Sequence, residues 1–144
     1  MFTKPEYGWT DVTIGDYTSR ASYITDIPFD ALDNVTEAIK YKDYGQTYTQ
    51  RFDAEGWEFI IEADANQTKL TIEEEDTKTI IIPKTMFDWA KEIITDIETY
   101  LEDWAKWTWD QNLDEPEQYE ENKKELQQKI NQLKALLEET EETT

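Results

Sequence analysis

The stretch of sequence that decides the fold runs from residue 48 to residue 82 and reads YTQRFDAEGWEFIIEADANQTKLTIEEEDTKTIII. Four runs within it resemble strands, and the clearest of them alternate apolar and polar residues, as expected of a strand with one buried face. Turn-forming residues separate the runs at positions 53–56, 66–67 and 73–76, and Pro83 stops the last run. The stretch therefore predicts a meander of four antiparallel strands.

The residues before this stretch predict one further strand and a short helix. Val12 and Ile14 fall on one side of a partly alternating run, which indicates a strand that ends near Gly15. The segment 17–24, rich in Ser, Thr and Tyr, fits either an extension of that strand or a loop. Pro28 and Asp30 mark a helix start, and an apolar stripe continues from there to about residue 41.

A long amphipathic helix follows the predicted meander. Thr85 is a capping residue and Asp88 stands three positions later, which is the spacing of a capping box. An apolar stripe at helical spacing then runs from Met86 to Trp104, so this helix is expected to cover one face of the sheet. Together these elements predict an α+β fold, in which an antiparallel sheet of four to five strands carries a short helix and a long helix.

The segment 113–144 predicts a C-terminal helix of different composition. Residues 114–117, Asp-Glu-Pro-Glu, are typical of a helix start. A heptad-like apolar seam follows, interrupted by Lys123 and formed by Tyr119, Leu126, Ile130, Leu133 and Leu137. The seam either packs on the sheet domain, predicted as residues 1–112, to give one structural unit, or pairs with a second chain as a homodimer through residues 117–139.

Composition removes most of the familiar catalytic chemistry. The 144 residues include no cysteine and no histidine, so thiolate nucleophiles, disulfides and Cys/His zinc sites cannot be built. Paired carboxylates remain as an enzymatic route, but nearly every acid falls at a predicted exposed position. The acidic run 73–76 lacks the spaced ligands and central glycine of a calcium-binding loop. We therefore expect no enzyme, no cofactor and no metal.

The charge of the chain indicates its partner. The formal net charge is −20, and the acidic residues are spread along the sequence rather than gathered in one tail. Such a surface repels nucleic acid and anionic lipid and attracts basic proteins, so we expect a basic protein partner and no direct binding of nucleic acid. Solubility alone is the competing explanation. The sequence shows no signal peptide and no apolar run of membrane-spanning length, which predicts a cytoplasmic protein without a membrane partner.

The predicted long helix supplies the charged candidate residues. Asp88, Glu92 and Asp96 recur every four residues, which separates successive carboxylates by about 6 Å along the helix axis. This is close to the distance between neighbouring phosphates, so the row could occupy a nucleic-acid groove by mimicry. Asp103 also lies away from the apolar stripe and joins these candidates. An ordinary solvated helix face explains the same pattern without any partner.

Trp107 and Trp109 are the aromatic candidates, in the sequence WAKWTW at residues 104–109. Tryptophan is concentrated in the energetic centres of protein interfaces, which favours a role in partner binding. The competing explanation is burial, with Tyr119 and Leu126 of the C-terminal helix folding back over them.

The chain is small, acidic and rich in aromatic residues, and it contains the stretches ASYITD at 21–26 and DAEGWEF at 53–59. In these respects the chain resembles small acidic bacterial immunity proteins and phage-encoded acidic inhibitors of defence nucleases. The resemblance implies an inhibitor, in the cytoplasm of a bacterium or a phage-infected host, that neutralises a nuclease, a toxin or a nucleic-acid-binding protein. It carries over no functional residue. The alternative is an assembly module whose C-terminal helix dimerises or docks a partner helix.

Overall fold

The computed structural model describes residues 1–107 and 116–142 and confirms the predicted α+β class. The described strands form two antiparallel sheets, and the described helices end with a long C-terminal helix. The strands are β1 (Trp9–Ile14), β2 (Tyr17–Ser22), β3 (Tyr48–Asp53), β4 (Glu58–Ala63), β5 (Thr68–Glu73) and β6 (Thr77–Ile82). The helices are α1 (Ile27–Lys40), α2 (Met86–Thr99), α3 (Leu101–Ala105) and α4 (Pro116–Glu142), with a 3₁₀ turn at Lys42–Tyr44.

The predicted meander is confirmed, because β3, β4, β5 and β6 pair in chain order and each is antiparallel to the next. Phe59 lies opposite Phe52 on one side and opposite Ile72 on the other, so the three side chains share the inner face of the sheet. Inner-face residues of β3, β4 and β5 are buried, whereas those of the outer face are exposed or half-buried. This one-sided burial is what the alternating sequence predicts.

The segment from Tyr17 onward is a strand of its own. β2 pairs with β1 across a tight turn, in which Ile14 lies opposite Tyr17. Gly15 in that turn has a φ of +62°, and a Cβ at this position would lie 3.2 Å from the side chain of Ile82. Glycine suits both the left-handed backbone and the close approach. The hairpin is a separate two-stranded sheet, so the predicted four to five strands of one sheet are four strands plus this hairpin.

The helix predicted from residue 85 to about residue 104 is divided in two. Thr85 and Asp88 form the predicted capping box at the start of α2. The helix stops at Tyr100, whose φ of −118° is not helical, and α3 begins at the next residue. The indole N–H of Trp104 donates to the carbonyl oxygen of Asp96 at 3.3 Å, which supplies a partner to one of the last carbonyls of α2. Because of this break, the side chain of Trp104 packs in the core, where it is fully buried.

An aromatic chain joins the N-terminal segment to the sheet and to the helices. The ring of Phe2 packs edge-on between Phe52, at 6.0 Å between centroids, and Trp104, at 5.7 Å. Phe52 in turn stacks on Phe59 at 5.1 Å. Such pairs contribute roughly 0.5–1.5 kcal/mol each beyond the burial of their area. The core therefore depends on contacts between distant parts of the chain.

The C-terminal helix α4 packs on α1, α2 and α3 and shares their core. Asn122 near its start is buried and donates to the carbonyl oxygen of Ala105 at 3.2 Å. Lys129 forms an ion pair with Asp33 of α1 at 2.6 Å. The apolar seam is buried in the same core as the sheet, through Leu126, Ile130, Leu133 and Leu137.

Candidate interaction surfaces

The acidic row of α2 is engaged within the chain. Asp88 accepts a hydrogen bond from the backbone N–H of Thr85 at 2.9 Å, as part of the capping box. Glu92 accepts from the amino group of Met1 at 3.0 Å and from Nζ of Lys84 at 2.6 Å. The acidic row was predicted to be a free binding face. Instead, Asp88 caps the start of α2, and Glu92 binds Met1 and Lys84.

Asp96, the third carboxylate of this row, anchors the N-terminal segment. One of its oxygens accepts from the amino group of Met1 at 2.9 Å and from the backbone N–H of Phe2 at 2.8 Å. Its side chain retains 22% of its exposure. Replacement of this carboxylate is therefore expected to cost stability, which differs from the expectation for a solvated helix face.

The pKa of Glu92 reflects this engagement. Burial alone would raise the pKa of this carboxyl, but the hydrogen bonds from Lys84 and from the amino group of Met1 outweigh burial and hold the pKa below its ordinary value. The carboxylate is thus stabilised in its charged form by partners inside the molecule. A second basic group from another protein would have to compete with them.

The remaining sequence candidates have three different outcomes. Asp103 on α3 is half-buried, and its carboxylate forms no hydrogen bond or ion pair with the described residues. Trp107 is buried, and its ring lies 5.3 Å from that of Trp104 between centroids, tilted by 51°. Its indole N–H donates to the carbonyl oxygen of Thr25 at 3.1 Å. It is therefore a core residue and not an exposed interface anchor. Trp109 lies outside the described residues.

A second group of carboxylates, at the start of α1, was not among the sequence candidates. Partial desolvation, followed by repulsion from Asp30, Asp33 and Glu125, raises the pKa of Asp26 to about 6. Desolvation and Asp33 also raise the pKa of Asp30. Asp26 precedes α1, and its spacing from Asp30 and Asp33 within the helix is visible in the sequence. Glu125 joins them from α4 only through the tertiary fold.

The edge of β6 is an open backbone surface of the four-stranded sheet. Residues 77–82 form hydrogen bonds with β5, and within the described part of the chain their other backbone groups have no partner. The first five residues of the strand are exposed, including Ile80 at 40% and Ile81 at 54%. The opposite edge differs, because α1 packs against β3 and Asn34 donates to the carbonyl oxygen of Thr49 at 3.1 Å.

A groove follows β6 on the inner side of the sheet, between this strand and the β1–β2 hairpin. It consists of two neighbouring cavities of about 630 Å³ and about 470 Å³, and both are lined by Tyr17 and Ile80. Trp57 and Ile72 add apolar surface to the larger cavity. The acidic run 74–76 lines this cavity, and Asp16 lines the smaller one. Lys78 also lines the larger cavity and Lys84 the smaller one, so the groove has an apolar floor and margins in which acidic residues outnumber cations.

The described residues contain no group of three or more acidic side chains placed to hold a metal ion. Ser19 and Ser22 are buried, and the hydroxyl of Ser19 accepts a hydrogen bond from the indole of Trp57 at 3.2 Å. In the described parts of the chain, no helix has both the length and the apolar character needed to cross a membrane. Comparison with known proteins found no matching family model, no matching curated protein and no matching solved structure.

Proposed function

We propose that this protein is a non-enzymatic acidic inhibitor that binds and neutralises a basic protein, such as a nuclease, a toxin or a nucleic-acid-binding protein, by charge complementarity. The observation that carries the proposal is the charge imbalance of a folded surface, with 34 acidic against 14 basic residues. A compact domain that holds such a charge attracts basic surfaces over a distance and associates with them quickly at low salt.

Internal ion pairs use a share of the few basic side chains. Lys84, Lys129 and Lys134 each contact a carboxylate of another element, so their charge is already compensated inside the molecule. Asp26 has the opposite problem, because partial desolvation and repulsion from Asp30, Asp33 and Glu125 raise its pKa to about 6. A basic partner would relieve that repulsion, which supports binding of cations rather than of nucleic acid.

Mimicry of a phosphate row by α2 is a narrower form of the same proposal. Glu92 and Asp96 already have cationic partners in the chain, which leaves Asp88 as the most exposed member of the row. Charge complementarity of the wider surface therefore supports the proposal better than the spacing of these carboxylates does.

The alternative function, assembly through the C-terminal helix, has no specific observation in its favour. The seam that would pair between chains is buried against α1, α2 and α3. Pairing of two copies through that seam would first have to undock α4 from the core.

The proposal is tested by measuring the inhibition of a panel of basic nucleases and toxins by the purified chain. The association rate should fall steeply as added salt shortens the screening length from about 30 Å at 0.01 M to about 8 Å at 0.15 M. Polyglutamate of equal total charge is the matched control, since it carries the charge without the fold. Inhibition no stronger than that of polyglutamate, for every member of the panel, would remove the proposal.

A further inference from the structure

The pairing pattern of the meander decides which backbone groups of β6 point away from the sheet. In antiparallel strands, hydrogen-bonded pairs alternate with pairs whose N–H and C=O groups point outward. The N–H of Asp64 donates to the carbonyl oxygen of Gln67 at 3.0 Å, which sets this alternation for β4 and β5. Followed through the register into β6, the alternation directs the backbone groups of Thr77, Thr79 and Ile81 to the open edge.

The same alternation agrees with the other edge of the sheet. It directs the carbonyl of Thr49 outward from β3, and this carbonyl accepts the hydrogen bond from Asn34 of α1. At β6, by contrast, the outward groups have no partner among the described residues. Pro83 follows the strand and has no N–H to offer, so the row of donors ends there. The open row is therefore long enough for a short strand and has a defined end.

The groove beside β6 would receive the side chains of an added strand. Alternate side chains of a strand point to opposite faces, so those on the inner face would enter the groove over Tyr17 and Ile80. Its apolar floor suits apolar side chains. The acidic run 74–76 and Asp16 at its margins suit lysine or arginine. These four carboxylates outnumber the two cations of the lining, Lys78 and Lys84, of which Lys84 is already paired with Glu92.

A second copy of this chain fits the edge poorly. Each copy carries a formal charge of −20, so two copies repel each other at ordinary salt. In an antiparallel pair of β6 strands, the acidic turn 74–76 of one copy would approach the end of the groove where Asp16 of the other lies. A basic occupant avoids both repulsions.

We infer that β6 is a docking edge for an extended basic segment of the partner, which adds as a fifth strand and places apolar side chains in the groove. This inference rests on the proposed function and assigns its contact surface. Backbone hydrogen bonds to Thr77, Thr79 and Ile81 would provide affinity, and the groove and its acidic margins would select the sequence.

The test uses the full chain and a synthetic ten-residue peptide that alternates valine and lysine. The matched peptide carries N-methyl groups at every second residue, on the edge that would pair with β6, so it has the same charge but cannot form the strand. Fluorescence anisotropy should give a dissociation constant at least about tenfold weaker for the methylated peptide. Amide hydrogen exchange should slow at Thr77, Thr79 and Ile81 when the first peptide binds.

Two variants of the chain complete the test. Ile81→Lys adds a charge at the open edge and should weaken binding of the first peptide about tenfold or more. Thr49→Lys makes the same addition on the outer face of the opposite edge strand. It should leave the dissociation constant within about twofold of the wild-type value. Circular dichroism checks that both variants remain folded, and Ile81→Ser replaces the first variant if it does not.

The outcomes separate this inference from the proposed function. Equal binding of both peptides, or equal loss in both variants, would mean that charge acts without strand addition, which overturns the docking edge and leaves the inhibitor proposal standing. Failure of the wild-type chain to bind the first peptide also overturns the docking edge. Failure in the inhibition panel, with peptide binding intact, would overturn the inhibitor proposal and keep the edge as a peptide-binding site.

Discussion

Two groups of carboxylates, both spaced along a helix, meet opposite environments in this molecule. On α2, Glu92 lies between two cationic groups and its pKa is lowered despite burial. At the start of α1, Asp26 is partly desolvated and faces other carboxylates, and its pKa is raised to about 6. The difference shows that helical spacing positions charges, whereas the neighbouring elements decide whether those charges are compensated.

The comparison also separates structural charge from charge available to a partner. The α2 carboxylates hold the N-terminal segment in place, so their removal should act on stability first. Asp26 is partly desolvated and is repelled by the carboxylates around it, so removal of its charge should stabilise the fold.

Deletion of residues 117–144 should have the largest effect, because α4 supplies Glu125 to the α1 group and Lys134 to Glu98 of α2. It also buries four aliphatic side chains, each worth roughly 1.5–3 kcal/mol, which together approach the 5–15 kcal/mol stability of a typical domain. We expect the shortened chain to lose its cooperative unfolding transition in urea, as measured by circular dichroism. A cooperative transition in the shortened chain would show that α4 is separable and would favour the assembly function.

The shorter substitution Leu133→Ala serves as a check on the deletion. Truncation of this buried leucine should lower the unfolding free energy by about 2–5 kcal/mol. A change below 1 kcal/mol would mean that the seam is not packed in solution.

The elements were largely predictable from sequence, because alternation, turn residues and a capping box are local signals. Thr85 and Asp88 are an example, since their interaction depends on residues three positions apart. The break at Tyr100 was not predictable, because it is stabilised by the packing of Trp104. A continuous apolar stripe cannot distinguish one helix from two whose buried sides agree.

The candidate surfaces were less predictable than the elements, because tertiary contacts set them. The spacing of Glu92 and Asp96 is local, but their partner at Met1 lies 91 and 95 residues away. The burial of Trp107 depends likewise on Thr25, which is 82 residues away. The open edge of β6 did have a signal, since the last strand of a meander is an edge unless another segment covers it.

Asp96→Asn should destabilise the chain by about 1–3 kcal/mol, because it weakens charged hydrogen bonds to Met1 and Phe2. Thermal and urea unfolding measure the change. Asp103→Asn removes the same formal charge from a carboxylate without a described partner, and should stay within about 0.5 kcal/mol of wild type. Equal losses in the two variants would contradict the anchoring role of Asp96.

Asp26→Asn should stabilise the folded chain at pH 7. The pKa of Asp26 is about 6 in the folded state against an ordinary value of 3.8, so the folded state binds its proton more readily. Ionisation therefore costs stability above pH 6, and that cost disappears as the pH falls through 6 toward 4. Because the residue is exposed in part, the gain at pH 7 should be about 1 kcal/mol rather than the full value of the shift.

The measurement compares urea unfolding of wild type and Asp26→Asn at pH 7 and pH 4. The difference in unfolding free energy should shrink at the lower pH, where the wild-type carboxyl is protonated in the folded state. Asp103→Asn again controls for the loss of one negative charge. A destabilised Asp26→Asn variant at pH 7 would contradict the uncompensated environment at the start of α1.

Lys129→Met should have the smallest effect. It removes the ion pair between α4 and Asp33, which is partly exposed and therefore worth about 0.2–1 kcal/mol. Lys124→Met removes an equal charge from an exposed position on the same helix, without an ion pair to a described residue. Urea unfolding measures the unfolding free energy of both variants. If added salt of about 1 M does not reduce the difference in unfolding free energy between them, the ion pair is not the source of that difference.

The aromatic chain through Phe2 has a consequence for how the protein is made. A chain leaves the ribosome from its N-terminus, yet Phe2 packs against Trp104, and Asp33 pairs with a lysine 96 residues further on. Most of the polypeptide must therefore be synthesised before the core can close, and long-range contacts of this kind slow folding. During that interval the nascent strands expose apolar faces. The net negative charge of the chains reduces their association until the helices cover those faces.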